Sequence, residues 1–581
     1  MTGMDEIRGD RLDPSTTSRW GRRLTAAQVD RRRLMKGLLA GGAVATLAGI
    51  PRGFAVAQST PEVPIAASPA PYDGSLAAEQ VMRLPAGEPV TMDPGVSYGD
   101  VEIDIFANVF EGLVGVDQRT GLVVPRAAES FEANADNTQY TFTIRQGAMW
   151  SDGTPLNAND FVYSWRRVLD PDTLSEYTAA IYPIKNAEAI DNGELELDQL
   201  GVAALDDYTL QVTLEAATPY FPLLATTWTY AAVPKHVIDA KGAEWVEAGN
   251  IVSSGPFMMT EWTHDQQITL VPNPNYYGDK PTLTKATYRI FEDTSTQAYI
   301  AYEAGELDYA EPDGPDLDRI FADPALSADL VQFPLSNTYF VVCDTTNAPT
   351  DQVAFRQALS KSIDRTTLAT TILRGQYLPA PSVLPDNIPG HNPEAVLPES
   401  VPEAQQLLVD AGIDPAATTI ELTYVSSPAR YKTVAEYLQS TWQQNLGITV
   451  TLAPLESSAY SDWRASRETQ TFGVYTGTWG SDFADASNWF NQNFTSQSDH
   501  YRTHWVNEEF DTLCATAAPN VDTAQRDGQY SQAEAILVEQ APIIPMYRGK
   551  AARAVKPYVK DLWFQPILSS PHLRNVKIAA V

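Results

Sequence analysis

Between residues 403 and 452 the chain alternates helix, strand, helix and strand. Residues 403–411 carry a helical apolar period that Gly412 stops, and 420–424 read as a strand. A second helix is expected over 431–446, stopped by Gly447, and a second strand over 448–452. Strands joined through a helix run parallel, and a parallel sheet needs cover on both faces. This rhythm therefore sets the class: an α/β layer with parallel pairing.

With 581 residues the chain is too long for one small core, so two or three domains are expected. Upstream of the α/β rhythm the pattern is mixed. Residues 81–84 read as a short strand, and Met92-Asp93-Pro94 as a turn. Apolar residues at 103, 105, 106, 109, 110 and 113 predict a helix over 103–113. Residues 140–145 alternate like a half-buried strand. Asn157-Ala-Asn-Asp160 caps a helix that runs through Phe161, Trp165 and Val168 and stops at Asp170-Pro171. Residues 206–214 read as a hairpin strand. No fixed-period repeat is visible.

The net charge of -33 is unevenly spread. The first 57 residues hold a surplus of 5 positive charges, which leaves the remainder at -38. A surface this acidic repels nucleic acid and anionic membrane. The basic N-terminus has the three parts of an export signal: Arg31-Arg32-Arg33-Leu34-Met35-Lys36, an uncharged stretch over 37–50, and Ala55-Val56-Ala57 as a small-x-small cleavage pattern. The paired arginines resemble the twin-arginine signal, with Asp30 where Ser or Thr is usual. Fourteen apolar residues are short for a membrane span, although an uncleaved anchor is the competing reading. No cysteine lies near the cleavage pattern, so a lipoprotein anchor is not expected. Residues 58–78, rich in Pro, Ala and Ser at their start, read as a linker. The two cysteines, Cys343 and Cys514, make no disulfide framework and are expected as buried thiols.

Reactive constellations are missing. There is no His-Glu-x-x-His zinc helix, no phosphate loop, no Gly-x-Gly-x-x-Gly and no Gly-x-Ser-x-Gly turn. His500 and His504 are four apart, but the segment between them lacks a helical pattern. We expect a binder without metal or cofactor rather than an enzyme.

Several phrases stand in a specific order: Met92-Asp-Pro94, Phe110-Glu-Gly-Leu113, Trp150-Ser-Asp-Gly-Thr-Pro155, Asp160-Phe-Val-Tyr-Ser-Trp165, Val233-Pro-Lys235, Ser254-Gly-Pro-Phe257, Phe355-Arg-Gln-Ala-Leu359 and Ile363-Asp-Arg365. Together they resemble the oligopeptide-binding proteins of bacterial ABC importers, the extracellular solute-binding proteins of family 5, from about residue 79 to the end. The resemblance implies a periplasmic-binding-protein-like (type II) Venus flytrap, two lobes with an extra domain in the N-terminal half. One lobe would combine 75–111, 235–334 and 550–581. Residues 112–234 would form the additional domain and 335–549 the opposing lobe. The implied partners are a peptide ligand and the permease and ATPase subunits of an importer, with the binding protein a monomer.

Burying an extended peptide requires partners for its backbone N–H and C=O groups, which a strand edge can supply, and a counter-charge for its α-ammonium. The segment Phe472-Gly-Val-Tyr-Thr-Gly-Thr-Trp-Gly-Ser-Asp482 resembles the family's ligand-lining strand. On that likeness Asp482 receives the amine and Trp479 packs on the ligand, while Gly477 and Thr478 offer backbone hydrogen bonds. Tyr460, Tyr339 and Tyr177 match lining aromatics. Arg430 falls where a relative has a His near the ligand's C-terminal end. Thr476 replaces an Arg and Tyr98 a Glu. Gly480 and Ser336 stand where that relative has a disulfide. Without the resemblance, Asp482 would read as a turn or cap residue. An oligosaccharide or another small solute on the same fold is the alternative ligand, and an exported hydrolase a third reading.

Overall fold

The computed structural model describes residues 71–580 apart from Tyr98, 466–472 and 568. The expected export signal and most of the linker lie outside the described residues, as does the Tyr98 position.

The N-terminal half builds two four-stranded sheets. Its elements are β1 (Val81–Ala86), α1 (Asp100–Val109), β2 (Ala128–Ala133), β3 (Gln139–Ile144), α2 (Ala158–Leu169), β4 (Val202–Asp206), β5 (Thr209–Thr213), β6 (Phe257–Thr263), β7 (Gln267–Pro272) and β8 (Lys285–Ile290). One sheet has the order β1-β8-β7-β6, with β1 parallel to β8 although about two hundred residues separate them. The other, β2-β3-β5-β4, is antiparallel throughout. Both contribute to one apolar core that includes Leu84, Phe106, Phe142, Trp165 and Leu270.

Local chemistry explains the boundaries. Asn157 caps α2 through its side chain, Asp160 closes the capping box, and Pro171 follows the helix end. α1 departs from expectation: it begins at Asp100 and ends at Val109, and Phe110 is already extended. The Glu111 N–H donates to Ser254 Oγ at 2.9 Å and the Gly255 N–H to the Val109 carbonyl at 2.8 Å. A Cβ on Gly255 would lie 2.8 Å from the Val109 backbone. The Phe-Glu-Gly-Leu and Ser-Gly-Pro-Phe phrases therefore form one backbone joint.

The C-terminal half is one large sheet. Its elements are β9 (Leu330–Cys343), α3 (Val353–Lys361), α4 (Val401–Asp410), β10 (Thr419–Val425), α5 (Arg430–Leu446), β11 (Thr449–Leu455), α6 (Ser457–Ala465), β12 (Val474–Gly480), α7 (Glu508–Ala517), α8 (Thr523–Gln540) and β13 (Ile543–Val555). The order is Tyr309–Ala310, β13, β9, β12, β10, β11, and Tyr377–Pro379 also pairs with β13. β10 and β11 are parallel in unbroken register, as the helix–strand rhythm requires. Gly447 ends α5 in the left-handed conformation, φ 76°. Separate cores cover the two faces, one around Leu422 and Trp442, the other around Phe340, Tyr475 and Tyr530. Cys343 and Cys514 are buried and free.

β9 and β13 are the longest strands, 14 and 13 residues, and pair along nearly their whole length. One end packs into a cluster with Tyr302 and Leu317, and the other lies inside the large sheet. Their register shifts between Pro334 and Thr338, midway across. Such an irregularity bends a strand pair where it passes from one body to another. Among the described residues no helix is long and apolar enough to cross a membrane.

Candidate functional site

β12 is the element on which the expected site converges. It pairs with β9 over its full length but with β10 only at Val474 and Tyr475. From Thr476 to Gly480 it has no second ladder. The carbonyls of Thr476 and Thr478 are two residues apart, so they point to the same side. They accept from the hydroxyls of Tyr460 and Tyr501, the latter at 2.6 Å. Burial pushes the Tyr460 phenol up to about 12, so it stays protonated and donates. Gly477 lies against a ring: a Cβ there would approach Phe340 Cε2 to 2.7 Å. Trp479 is half-buried, its ring centroid 5.8 Å from that of His500, and its buried Nε1 meets no hydrogen-bond partner among the described residues.

Beyond β12 the chain turns through Ser481 to Asp482. The Asp482 N–H donates to Asn488 Oδ1 at 2.9 Å, and Asn488 Nδ2 donates to Asp482 Oδ2 at 3.2 Å. Asn488 is fully buried, so it fixes the direction of the half-buried carboxylate. Asp485, three residues on, has another task. It caps the turn Ala486–Asn488 and takes both arms of Arg526, at 2.5 and 2.7 Å.

Asp482 lines a cavity of about 150 Å³ between the two halves. Asn387 and Phe483 join it from the C-terminal half, while Glu111, Arg126, Trp228 and Arg574 face it from the other side. Phe483 stacks on Tyr220, centroids 5.6 Å apart and 5° from parallel, which ties the Asp482 turn to the N-terminal half. Tyr177 stacks on Trp228 at 5.4 Å and backs that wall. Glu111 accepts from Tyr276 at 2.7 Å and Tyr277 at 3.1 Å and is in contact with Arg574. Burial alone would raise its pKa, but Arg574 and Arg126 outweigh burial and hold it down.

A second cavity, about 420 Å³, is lined by Tyr339, Tyr377, Asn337, Asp104, Glu311 and Arg553. Tyr339 stacks on Tyr547 at 4.6 Å and meets Tyr377 edge-on at 5.9 Å. Arg430, at the start of α5, lies 4.6 Å over the Tyr431 ring and 5.9 Å over Tyr339. Burial lowers its pKa, but the phenols of Tyr377, Tyr339 and Tyr431 outweigh it, and the net shift is upward. The Asp104 carboxyl is raised to about 7, first by burial and then by Glu311.

The expected residues thus separate into three places. Asp482 enters the first cavity with Tyr177 behind its far wall, and Tyr339 enters the second with Arg430 beside it. Thr476, Gly477, Thr478, Trp479 and Tyr460 sit on or against β12. Sequence reasoning did not single out Arg126, Arg574, Phe483, Tyr377 or Tyr547. Glu111 stood in a quoted phrase without a role. The tyrosines carry no local signal, because chain-distant strands bring them together.

Comparison with known proteins places this geometry in context. The family described as bacterial extracellular solute-binding proteins, family 5 Middle, matches residues 123–501. The chain is 32% identical to the periplasmic murein peptide-binding protein MppA of Escherichia coli, over 84% of this chain and 91% of that protein. The unliganded open form of MppA superposes with a TM-score of 0.77, covering 87% of this chain and 99% of the other. A probable deoxycholate-binding periplasmic protein of Escherichia coli, YgiS, is 33% identical over 85% of this chain and 93% of its own length. Haemophilus influenzae OppA in complex with the peptide RPPGFSPFR is 29% identical, with a TM-score of 0.67 over 87% of this chain and 100% of that one.

Proposed function

Because this chain belongs to the bacterial extracellular solute-binding proteins of family 5, we propose that it captures peptides outside the cytoplasm and delivers them to an ABC importer. Its fold is the type II Venus flytrap of its structural neighbours. We assign 75–111, 235–334 and 550–581 to one lobe, 112–234 to the additional domain and 335–549 to the opposing lobe. β9 and β13, which run from one core into another, support this division. The same reading takes 1–57 as a twin-arginine-type signal, 58–78 as a linker, and the protein as a monomer without a lipid anchor.

One observation carries the ligand assignment. At the end of β12, beyond its one-sided stretch, Asn488 aims the Asp482 carboxylate into a cavity between the halves. A peptide α-ammonium buried there needs such a partner. Trp479, whose Nε1 has no hydrogen-bond partner among the described residues, supplies an apolar face and a donor. The carbonyls of Thr476 and Thr478 already accept from tyrosine hydroxyls. Peptide pairing along this edge therefore relies on exchanging or sharing those bonds. Tyr339 and Arg430 are assigned to the ligand's other end. In this reading the protein binds and releases, and performs no chemistry on the peptide.

Mass spectrometry of ligand co-purified with the native protein tests the assignment. A set of peptides is expected. The resemblance to YgiS keeps a second reading specific: a single homogeneous steroid or sugar in the cleft would replace the peptide assignment.

A further inference from the structure

On the wall of the cavity that faces Asp482, two guanidiniums crowd a single carboxylate. Arg574 and Arg126 both lie against one carboxylate, Glu111, the first in contact and the second with Nε at 3.6 Å. Glu111 is already served by Arg574 and two tyrosine hydroxyls. Arg126 adds little to that pair. Its other bond is a long one, Nη2 to the Val116 carbonyl at 3.3 Å. Gly115 backs its stem: a Cβ there would stand 3.0 Å from Arg126 Nε and crowd the side chain in this place. The Arg126 side chain keeps 20% of its surface open and lines the cavity.

The surroundings make this charge expensive to leave alone. Burial first, and repulsion from Arg574 next, pull the Arg126 pKa down. His572, in the same wall, is held neutral with a pKa of about 3 by burial and by both guanidiniums. Two guanidiniums share one contacting carboxylate here, and the other acid that acts on Arg126, Asp117, makes no salt bridge with it among the described residues. A partly desolvated guanidinium binds a carboxylate through charge-assisted, often bidentate bonds.

We propose that Arg126 receives a carboxylate of the ligand inside the Asp482 cavity, so that this protein prefers peptides carrying an acid close to their amino end. The inference rests on the peptide-capture reading. The carboxylate comes either from an acidic side chain or from the terminal carboxyl of a very short peptide.

Calorimetry with the full mature chain tests it. Ala-Glu-Ala-amide is compared with Ala-Gln-Ala-amide, and free Ala-Ala with Ala-Ala-amide. The wild type is expected to favour at least one acidic member by about ten- to a hundredfold. Arg126→Gln should bind both members of each pair alike. Arg126→Lys, which keeps the charge, should retain a reduced preference and guards against a folding defect in the first variant. A preference confined to the tripeptides identifies the side chain as the source, and one confined to Ala-Ala identifies the terminal carboxyl. Equal wild-type affinities within both pairs, or a preference that survives Arg126→Gln, overturns the proposal while leaving peptide capture intact. Absence of binding by all four peptides overturns the peptide reading and the proposal with it.

Discussion

Asp482 and Asp485 are three residues apart and are held in opposite ways. Asp485 is buried beneath a two-armed bond to Arg526, whereas Asp482 is oriented by the Asn488 amide and lines the cavity. Removing Asp485 strands a buried guanidinium, so Asp485→Ala should lower stability by about 3–5 kcal/mol in denaturant unfolding. Asp482→Ala should instead weaken peptide binding by roughly 2–5 kcal/mol in calorimetry, with a smaller effect on unfolding. The reverse pattern would exchange their roles. Asp482 could be singled out in the sequence only through the family resemblance, which Trp479 and the strand before it carry as its chain neighbours. Arg574 could not, since it meets Glu111 across 463 residues of chain, and no local pattern records that encounter.

Among the elements, β12 is where packing meets the proposed recognition. Gly477 lets the Phe340 ring lie against the strand. Gly477→Ala is therefore expected to cost about 1–3 kcal/mol in stability by overpacking and to weaken ligand binding through the displaced edge. Unfolding and titration of one purified variant read both effects, and unchanged values in both would remove Gly477 from the account. Elements with complete local signals were legible: α2 carries its capping box and proline stop, and β10 and β11 their flanking helices. α1 was read too long because Phe110 continues the apolar period while its backbone has already left the helix for the joint with Ser254 and Gly255. The quoted phrases serve largely as such joints. Trp165 Nε1 donates to the Tyr230 carbonyl, and Arg356 and Arg365 bind the Gln540 and Pro545 carbonyls. They identify the fold more directly than they identify its ligand.

At the scale of the whole molecule, the α/β class was legible, whereas the strands joining the halves were not. β9 is largely open along its first half and buried along its second, so it never shows the alternation of a strand in one environment. The second cavity adds a pH response. The Asp104 carboxyl is raised to about 7 in the folded protein from an ordinary value of 3.8. Between those values the folded state holds a proton that the unfolded chain has lost. The part of the stability that Asp104 contributes should therefore be greatest below about pH 4 and be lost as pH rises toward about 7. Asp104→Asn, which cannot ionise, should lessen this decline when melting temperature is followed against pH. Parallel profiles for the two proteins would show that Asp104 is not its source.

The central claim is that Asp482 pairs with a buried peptide amine, and titrating the mature protein with one peptide in free and N-acetylated forms tests it most directly. Acetylation removes the charge and leaves the remaining backbone groups available. The account predicts at least tenfold weaker binding of the acetylated peptide, a difference that shrinks in Asp482→Ala. Equal affinity of the wild type for the two forms would contradict it.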